Sequence, residues 1–240
     1  MTRRLALLLC LLIAPGLLAC SDGERAGTEP SRELGDGYGG STNAAAPAAL
    51  EIPGDAPLVL FLGDSLTAGL HLSVELAWPA ALQRALEADG LPFRLQNAGV
   101  SGDTTAGGLS RADWVLRSEP DVVVIELGAN DGLRAIALTD TEANLRGLVE
   151  KVRAAGARPL LMGMNVPTNL GEYAEDFAAL FPRIAGDLDV PLVPRFLEGV
   201  GGVPEMNLPD GLHPTREGHE RLAANVRSAL ESELAALPGR

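Results

Sequence analysis

The chain has 240 residues, with 32 Asp+Glu against 19 Lys+Arg and a formal net charge of −13. A chain this acidic has no long-range attraction for polyanions, and no local basic stripe offsets that, which argues against nucleic acid as a partner. Its two cysteines, Cys10 and Cys20, leave the remainder without a cysteine zinc site or an internal disulfide framework, and Lys151, the only lysine, does not belong to a Gly-Lys-Ser/Thr phosphate loop.

The N-terminus reads Met-Thr-Arg3-Arg4, then an apolar run from Leu5 to Leu18 interrupted by Pro15-Gly16, then Ala19-Cys20. Positive charge, an apolar run shorter than the roughly 20 residues needed to span a bilayer, and small residues after it define a signal peptide over 1–19. Leu17-Leu18-Ala19-Cys20 resembles the bacterial lipobox, whose cysteine becomes the lipid-modified first residue of the mature protein. The resemblance implies Cys20 as the lipidation site, a membrane as a partner through that lipid, and a place in the bacterial cell envelope facing the periplasm. Ser21 in place of Asp leans toward the outer membrane. A secreted protein cut elsewhere is the alternative. Residues 20–56 then read as a tether: between 21 and 56, Gly, Ala, Pro and Ser make up 20 of 36 positions, too little apolar surface to offset ordering entropy.

From 57 to 240 short apolar runs alternate with helical patterns, the signal for a parallel sheet covered by helices on both faces, an α/β fold. Leu58–Leu62, Phe93–Ala98, Asp121–Glu126, Arg158–Met162 and Pro191–Val193 read as five strands. Leu145, Leu148, Val149 and Val152 recur at helical spacing, as do Leu222, Val226, Leu230 and Leu234. In such sheets chemistry gathers at the carboxyl ends of the strands. Three of those ends carry Gly63-Asp64-Ser65-Leu66-Thr67, Asn97-Ala-Gly-Val-Ser-Gly102-Asp103 and Gly128-Ala-Asn130-Asp131, while Asp210-Gly-Leu-His213-Pro214 precedes the last helix.

A serine hydroxyl is a poor nucleophile until a base removes its proton, and a histidine base works best when a carboxylate fixes its tautomer. Ser65, His213 and Asp210 supply those three types, and the three-residue step from Asp210 to His213 lets one turn of chain aim both side chains at a common point. Pro214 is expected at the first position of the following helix. Acyl transfer also needs donors for a developing oxyanion. Gly102 offers an unobstructed backbone N–H, Asn130 a side-chain amide, and Ser65 its own N–H.

These blocks resemble the GDSL, or SGNH, hydrolases, in which four such motifs occur in this order. Gly63-Asp-Ser-Leu-Thr, Ala77-Trp78-Pro79, Ser101-Gly-Asp-Thr104, Glu126-Leu-Gly-Ala-Asn-Asp-Gly-Leu-Arg134, Pro159-Leu-Leu-Met162 and Asp210-Gly-Leu-His-Pro214 are closest to the bacterial thioesterase, lysophospholipase and arylesterase group. The resemblance covers roughly 58–235. It implies a flavodoxin-like three-layer α/β/α fold with a five-stranded parallel sheet, and a catalytic group of Ser65, Asp210 and His213. An oxyanion hole of Ser65, Gly102 and Asn130 goes with it, and no metal or cofactor. The substrates it implies are small acyl esters and thioesters, cleaved through an acyl-Ser65 intermediate.

Other chemistry-bearing residues have plainer readings. Asp64 and Asp131 are expected to brace backbone, His219 to sit in a solvated setting among Arg216, Glu217, Glu220 and Arg221, and Trp78 to pack at the start of a helix. His71 stands near Ser65 without a carboxylate to pair with. The stretch 165–181, with Leu170, Tyr173, Phe177 and Phe181, fits either a wall for an acyl chain or an amphipathic core helix. The Gly-x-Ser-x-Gly elbow of α/β-hydrolases is missing. Carbohydrate O-deacetylation by the same serine machinery, and a non-catalytic binding lipoprotein, are the competing functions.

Overall fold

A computed structural model describes residues 52–238, so the signal peptide, Cys20 and nearly all of the tether lie outside the described residues. Five parallel strands, β1 (Leu58–Gly63), β2 (Arg94–Gly99), β3 (Val122–Glu126), β4 (Arg158–Met162) and β5 (Leu192–Val193), form one sheet in the order β2-β1-β3-β4-β5. That is the flavodoxin-like order, which reverses direction at β1 and opens a crevice beyond its carboxyl end.

The order explains which strands are apolar. β1 and β3 lie inside the sheet and are buried at every position, which parallel strands covered on both faces require. β2 is an edge strand, only partly buried, and its Arg94-Leu-Gln-Asn-Ala-Gly is correspondingly polar. Among the described residues five helices are long enough to cover the sheet. Helix α2 (Trp78–Ala88) packs against α7 (Arg216–Ala235), while α5 (Leu138–Ala154) packs against both α3 (Thr105–Val115) and α6 (Glu172–Leu188). Right-handed crossovers from the reversal point place the first pair on one face and the other three on the opposite face.

Trp78 pins the α2–α7 side. Its ring is fully buried edge-on to Phe61 of β1 and to Phe196, both with centroids 5.1 Å away. The backbone N–H of Trp78 donates to His219 Nδ1 at 3.1 Å, so a side chain from α7 caps the start of α2. His219 is therefore not solvated, as its charged neighbours suggested: it is 1 % exposed, and burial holds its pKa down at about 4, with the charge of His213 adding to the effect. Its structural role stands, but it is exercised inside the core. Pro214 also departs from expectation. Helix α7 starts at Arg216, with Thr215 as its cap accepting from the Gly218 N–H at 3.2 Å, and Pro214 forms an isolated antiparallel bridge with Asn207.

The stretch 165–181 divides its duties. Phe177 and Phe181 lie on the buried face of α6 at 0 % exposure, their rings against Gly128 and Gly132, and the Tyr173 hydroxyl donates to the Ile136 carbonyl at 2.9 Å. The helix thus supports the short turn that carries Asn130, while 165–168, ahead of it, face the cleft.

Candidate active site

The end of β1 determines where Ser65 stands. Asp64 caps α1 (Ser65–Ala68), its Oδ1 accepting the Leu66 N–H at 2.9 Å, so the chain turns from strand to helix at the serine. Gly63 permits the turn: a Cβ there would lie 2.2 Å from Thr67 Oγ1 and 2.6 Å from Glu126 Oε2. Arg111, from α3, ties the two neighbouring strand ends together, donating to the carbonyls of Gly63 (3.0 Å) and Ala98 (2.7 Å) and to Asp103 Oδ2 (2.8 Å).

Although 148 residues separate them in sequence, His213 Nε2 lies 3.0 Å from Ser65 Oγ. On the other side of the ring, Nδ1 is 2.7 Å from Asp210 Oδ2. The opposite oxygen of Asp210 accepts the backbone N–H groups of His213 (3.0 Å) and Leu212 (2.9 Å). Those two N–H groups, then the imidazole, hold the Asp210 carboxyl well below the usual carboxylate range, so it is an anion at any pH where imidazole can act as a base. With Nδ1–H donated to that anion, Nε2 is left as the acceptor for the serine proton. The loop is fixed at its base by Leu208 N–H donating to the His213 carbonyl at 2.7 Å and by Asn207 Nδ2 donating to the carbonyls of Val200 and Val203.

Asn130 lies on α4 (Ala129–Leu133), a one-turn helix after β3. Its amide is held at both ends: Nδ2 donates to Asp64 Oδ2 at 3.0 Å, and Oδ1 accepts from Arg134 Nη2 at 3.2 Å. The same Arg134 nitrogen donates to the Gly102 carbonyl at 3.1 Å, so one guanidinium gathers the loop after β2 and the turn after β3. Gly102 adopts φ +80°, in the left-handed region that glycine favours. An amide nitrogen has two hydrogens, so Asn130 keeps one beyond the bond to Asp64. Asp131 braces its loop as expected, accepting from the Thr105 N–H (2.9 Å) and from the Thr105 hydroxyl.

Beneath the serine sits a pair of buried carboxyls. Glu126, at 0 % exposure, accepts from the Thr67 hydroxyl at 2.6 Å and the Asp64 N–H at 3.4 Å; its other oxygen has no partner among the described residues. Burial first, and then the adjacent Asp64, push Glu126 well above the usual carboxylate range. Burial likewise pushes Asp64 up to about 6, against the N–H groups of Leu66 and Asn130. The plain reading of Asp64 as a backbone brace was therefore incomplete, since it also grips a side chain of the site. Arg111 and the grip of Arg134 were missed; their carbonyl partners carry no signal in the sequence. Glu126 was readable as the one charge closing an apolar strand.

A cavity of about 570 Å³ opens beside the serine. Ser65, Asn130 and His213 line it on one side, with Leu133, Val166 and Leu212 among its apolar walls. His71 is exposed beside His213, its ring edge-on to that of His213 with centroids 5.5 Å apart.

A parallel α/β sheet carrying a serine, histidine and aspartate in hydrogen-bonded series beside an apolar cleft defines a hydrolase of the serine class. The chain belongs to the GDSL-like Lipase/Acylhydrolase family, whose description matches residues 61–221. It is 44 % identical over 178 residues to Esterase TesA of Pseudomonas aeruginosa, covering 73 % of this chain and 89 % of the relative. It is 42 % identical, over 73 % of this chain and 84 % of the relative, to an Escherichia coli protein named as a thioesterase, protease and lysophospholipase. The crystal structure of TesA superposes with a TM-score of 0.71 at 43 % identity, covering 73 % of this chain and 99 % of that one. The protein is a GDSL-type esterase or thioesterase, a carboxylic ester hydrolase.

Proposed function

We propose that Ser65, His213 and Asp210 hydrolyse acyl esters and thioesters through an acyl-Ser65 intermediate. The observation that carries this reading is the unbroken hydrogen-bonded series from Ser65 Oγ through both ring nitrogens of His213 to Asp210. Ser65 Oγ attacks the acyl carbonyl as His213 Nε2 takes its proton, and the Asp210 anion stabilises the imidazolium. The carbonyl oxygen becomes an oxyanion, bound by the N–H groups of Ser65 and Gly102 and the remaining hydrogen of Asn130 Nδ2. His213 then returns the proton to the departing alkoxide or thiolate, leaving the acyl group on Ser65. Water, deprotonated by His213, attacks the acyl carbon in turn; the bond to Ser65 Oγ breaks, His213 returns the proton to that oxygen, and the acid is released. The apolar walls at Leu133, Val166 and Leu212 suit an acyl chain in place of a sugar.

The same proposal places the catalytic domain in the bacterial cell envelope, at the end of the 20–56 segment, attached through a lipid on Cys20. Arg3-Arg4, the apolar run and the lipobox-like Leu17-Leu18-Ala19-Cys20 support it. Cys20→Ala then yields protein that no longer partitions into detergent.

The chemistry is tested with a panel of acyl esters, thioesters and lysophospholipids of graded chain length, with Ser65→Ala as the blank. Ser65→Ala and His213→Ala are expected to lose activity to similar extents, because members of such a group act as a unit. A phosphonate ester should add its phosphonyl mass to the Ser65-bearing peptide. Full activity in either variant removes the assignment, and activity on acetylated sugars alone replaces the substrate class.

A further inference from the structure

His71 has no place in the hydrolytic scheme, yet it is held in an unusual way. It adopts φ 72°, a left-handed conformation uncommon for a residue with a Cβ, in the exposed loop after α1. That conformation presents its imidazole edge-on to the ring of His213. One ligand atom from each of His71, His213 and Asp210 lies within 4.8 Å of the other two. A tetrahedral zinc ion holds nitrogen and oxygen ligands at about 2.0–2.2 Å, hence about 3.4 Å from one another. His213 Nδ1 and Asp210 Oδ2, at 2.7 Å, are already inside that spacing and must open by about 0.7 Å, while His71 must close by at most about 1.4 Å, a movement that rotation of its exposed side chain can supply.

We propose that His71, His213 and Asp210 form an inhibitory site for a divalent transition-metal ion of the zinc class, with water completing the coordination. The inference rests on His213 being the base of the hydrolytic reaction. Two imidazoles and one carboxylate are a donor set that suits zinc, and the acidic chain, at −13, favours cations near its surface. Bound at Nδ1, between the ring and Asp210 Oδ2, the ion displaces the proton donated to Asp210 and leaves the ring's one proton on Nε2, which can then no longer accept from Ser65. No bond to substrate forms or breaks, and removing the ion restores the enzyme.

The test uses the full chain without a polyhistidine tag, stripped with chelator and titrated with zinc chloride, reading both ester hydrolysis and zinc binding by calorimetry. Zinc is expected to abolish hydrolysis and chelator to restore it. In His71→Gln the half-inhibitory zinc concentration should rise at least about tenfold, the low end of what altering even an outer-shell partner costs a metal site, with activity in chelator unchanged. Ser65→Ala, inactive on ester, should bind zinc with the affinity of the unmodified chain, which keeps the metal site separable from the catalytic reading. Equal inhibition in His71→Gln and the unmodified chain, or no zinc effect on either, overturns the proposal. An active Ser65→Ala variant overturns the catalytic assignment instead.

Discussion

Asp64 and Asn130, 66 positions apart, are joined by a 3.0 Å hydrogen bond in which the carboxylate Oδ2 accepts from the amide Nδ2. The residue that caps the helix of the proposed nucleophile, Ser65, is thus also the residue that aims the proposed side-chain oxyanion donor. Asp64→Asn keeps the shape and the acceptor for Leu66 N–H, but it can present an NH2 group to another NH2 group. Removing an oxyanion donor outright costs on the order of 100- to 1,000-fold in kcat. Misaiming Asn130 should cost less, about 10- to 100-fold, and fall on kcat more than on KM. Steady-state kinetics on a soluble ester with a folded Asp64→Asn variant decides it; a change confined to KM would place Asn130 in substrate binding only.

At its other end the amide is held by Arg134, which also grips the Gly102 carbonyl. Arg134 is exposed, so each of these bonds is worth little against water. Its effect is on aim. Arg134→Ala is expected to lower kcat by up to about tenfold while shifting the melting temperature little, since surface changes usually stay within about 0.5 kcal/mol. Arg134→Lys, a point charge without the planar fork, should recover only part of the rate. A melting shift as large as a core substitution gives would show that Arg134 holds the fold and not the donors.

The difference between what could and could not be read from the chain follows from these contacts. β1 and β3 were legible because a strand buried on both faces must be continuously apolar, as Leu58–Leu62 and Val122–Ile125 are. Ser65, Asp210, His213 and Asn130 were legible as positions because they sit in short blocks at strand ends. Their mutual distances were not, since Ser65 and His213 lie 148 positions apart and the fold of the chain between them sets the approach. Arg111 bonds mainly to carbonyls, which every residue possesses, so nothing in the sequence singles it out. His219 was misplaced by attending to its charged neighbours, although its spacing to Leu222, Val226 and Leu230 continues the buried face of α7.

Gly63 is where the turn tolerates least. An added methyl meets Thr67 Oγ1 and Glu126 Oε2 far inside contact distance, and both atoms are already bonded to each other at 2.6 Å. Overpacking of this kind destabilises by about 1–3 kcal/mol. Gly63→Ala should therefore lower the melting temperature by roughly 2–4 °C for each kcal/mol, and it should depress kcat because relief displaces Asp64 and Ser65. Differential scanning calorimetry with parallel ester kinetics checks both. A variant as stable and active as the parent would mean that β1 can shift without disturbing the site.

Acid should act on stability through His219. Its pKa is about 4 when folded against an ordinary 6.5, so between those values the unfolded chain binds more protons and stability falls as pH falls. The contribution is complete above about 6.5, and about 3 kcal/mol of it has gone by pH 4. Asp64 and Glu126 act in the opposite sense: raised on folding, they favour the folded chain at low pH and lose that contribution as pH rises through the ordinary carboxylate range toward their folded values. The two effects oppose one another in the unmodified protein, so the informative quantity is a difference. His219→Gln can still accept the Trp78 N–H through its side-chain carbonyl but cannot titrate. It should be less stable than the parent at pH 7.5, with the gap narrowing by about 2–3 kcal/mol at pH 4.5. Urea denaturation at the two pH values measures it. A gap that does not change would mean that His219 takes up its proton in the folded chain as readily as in the unfolded one, and that acid acts elsewhere.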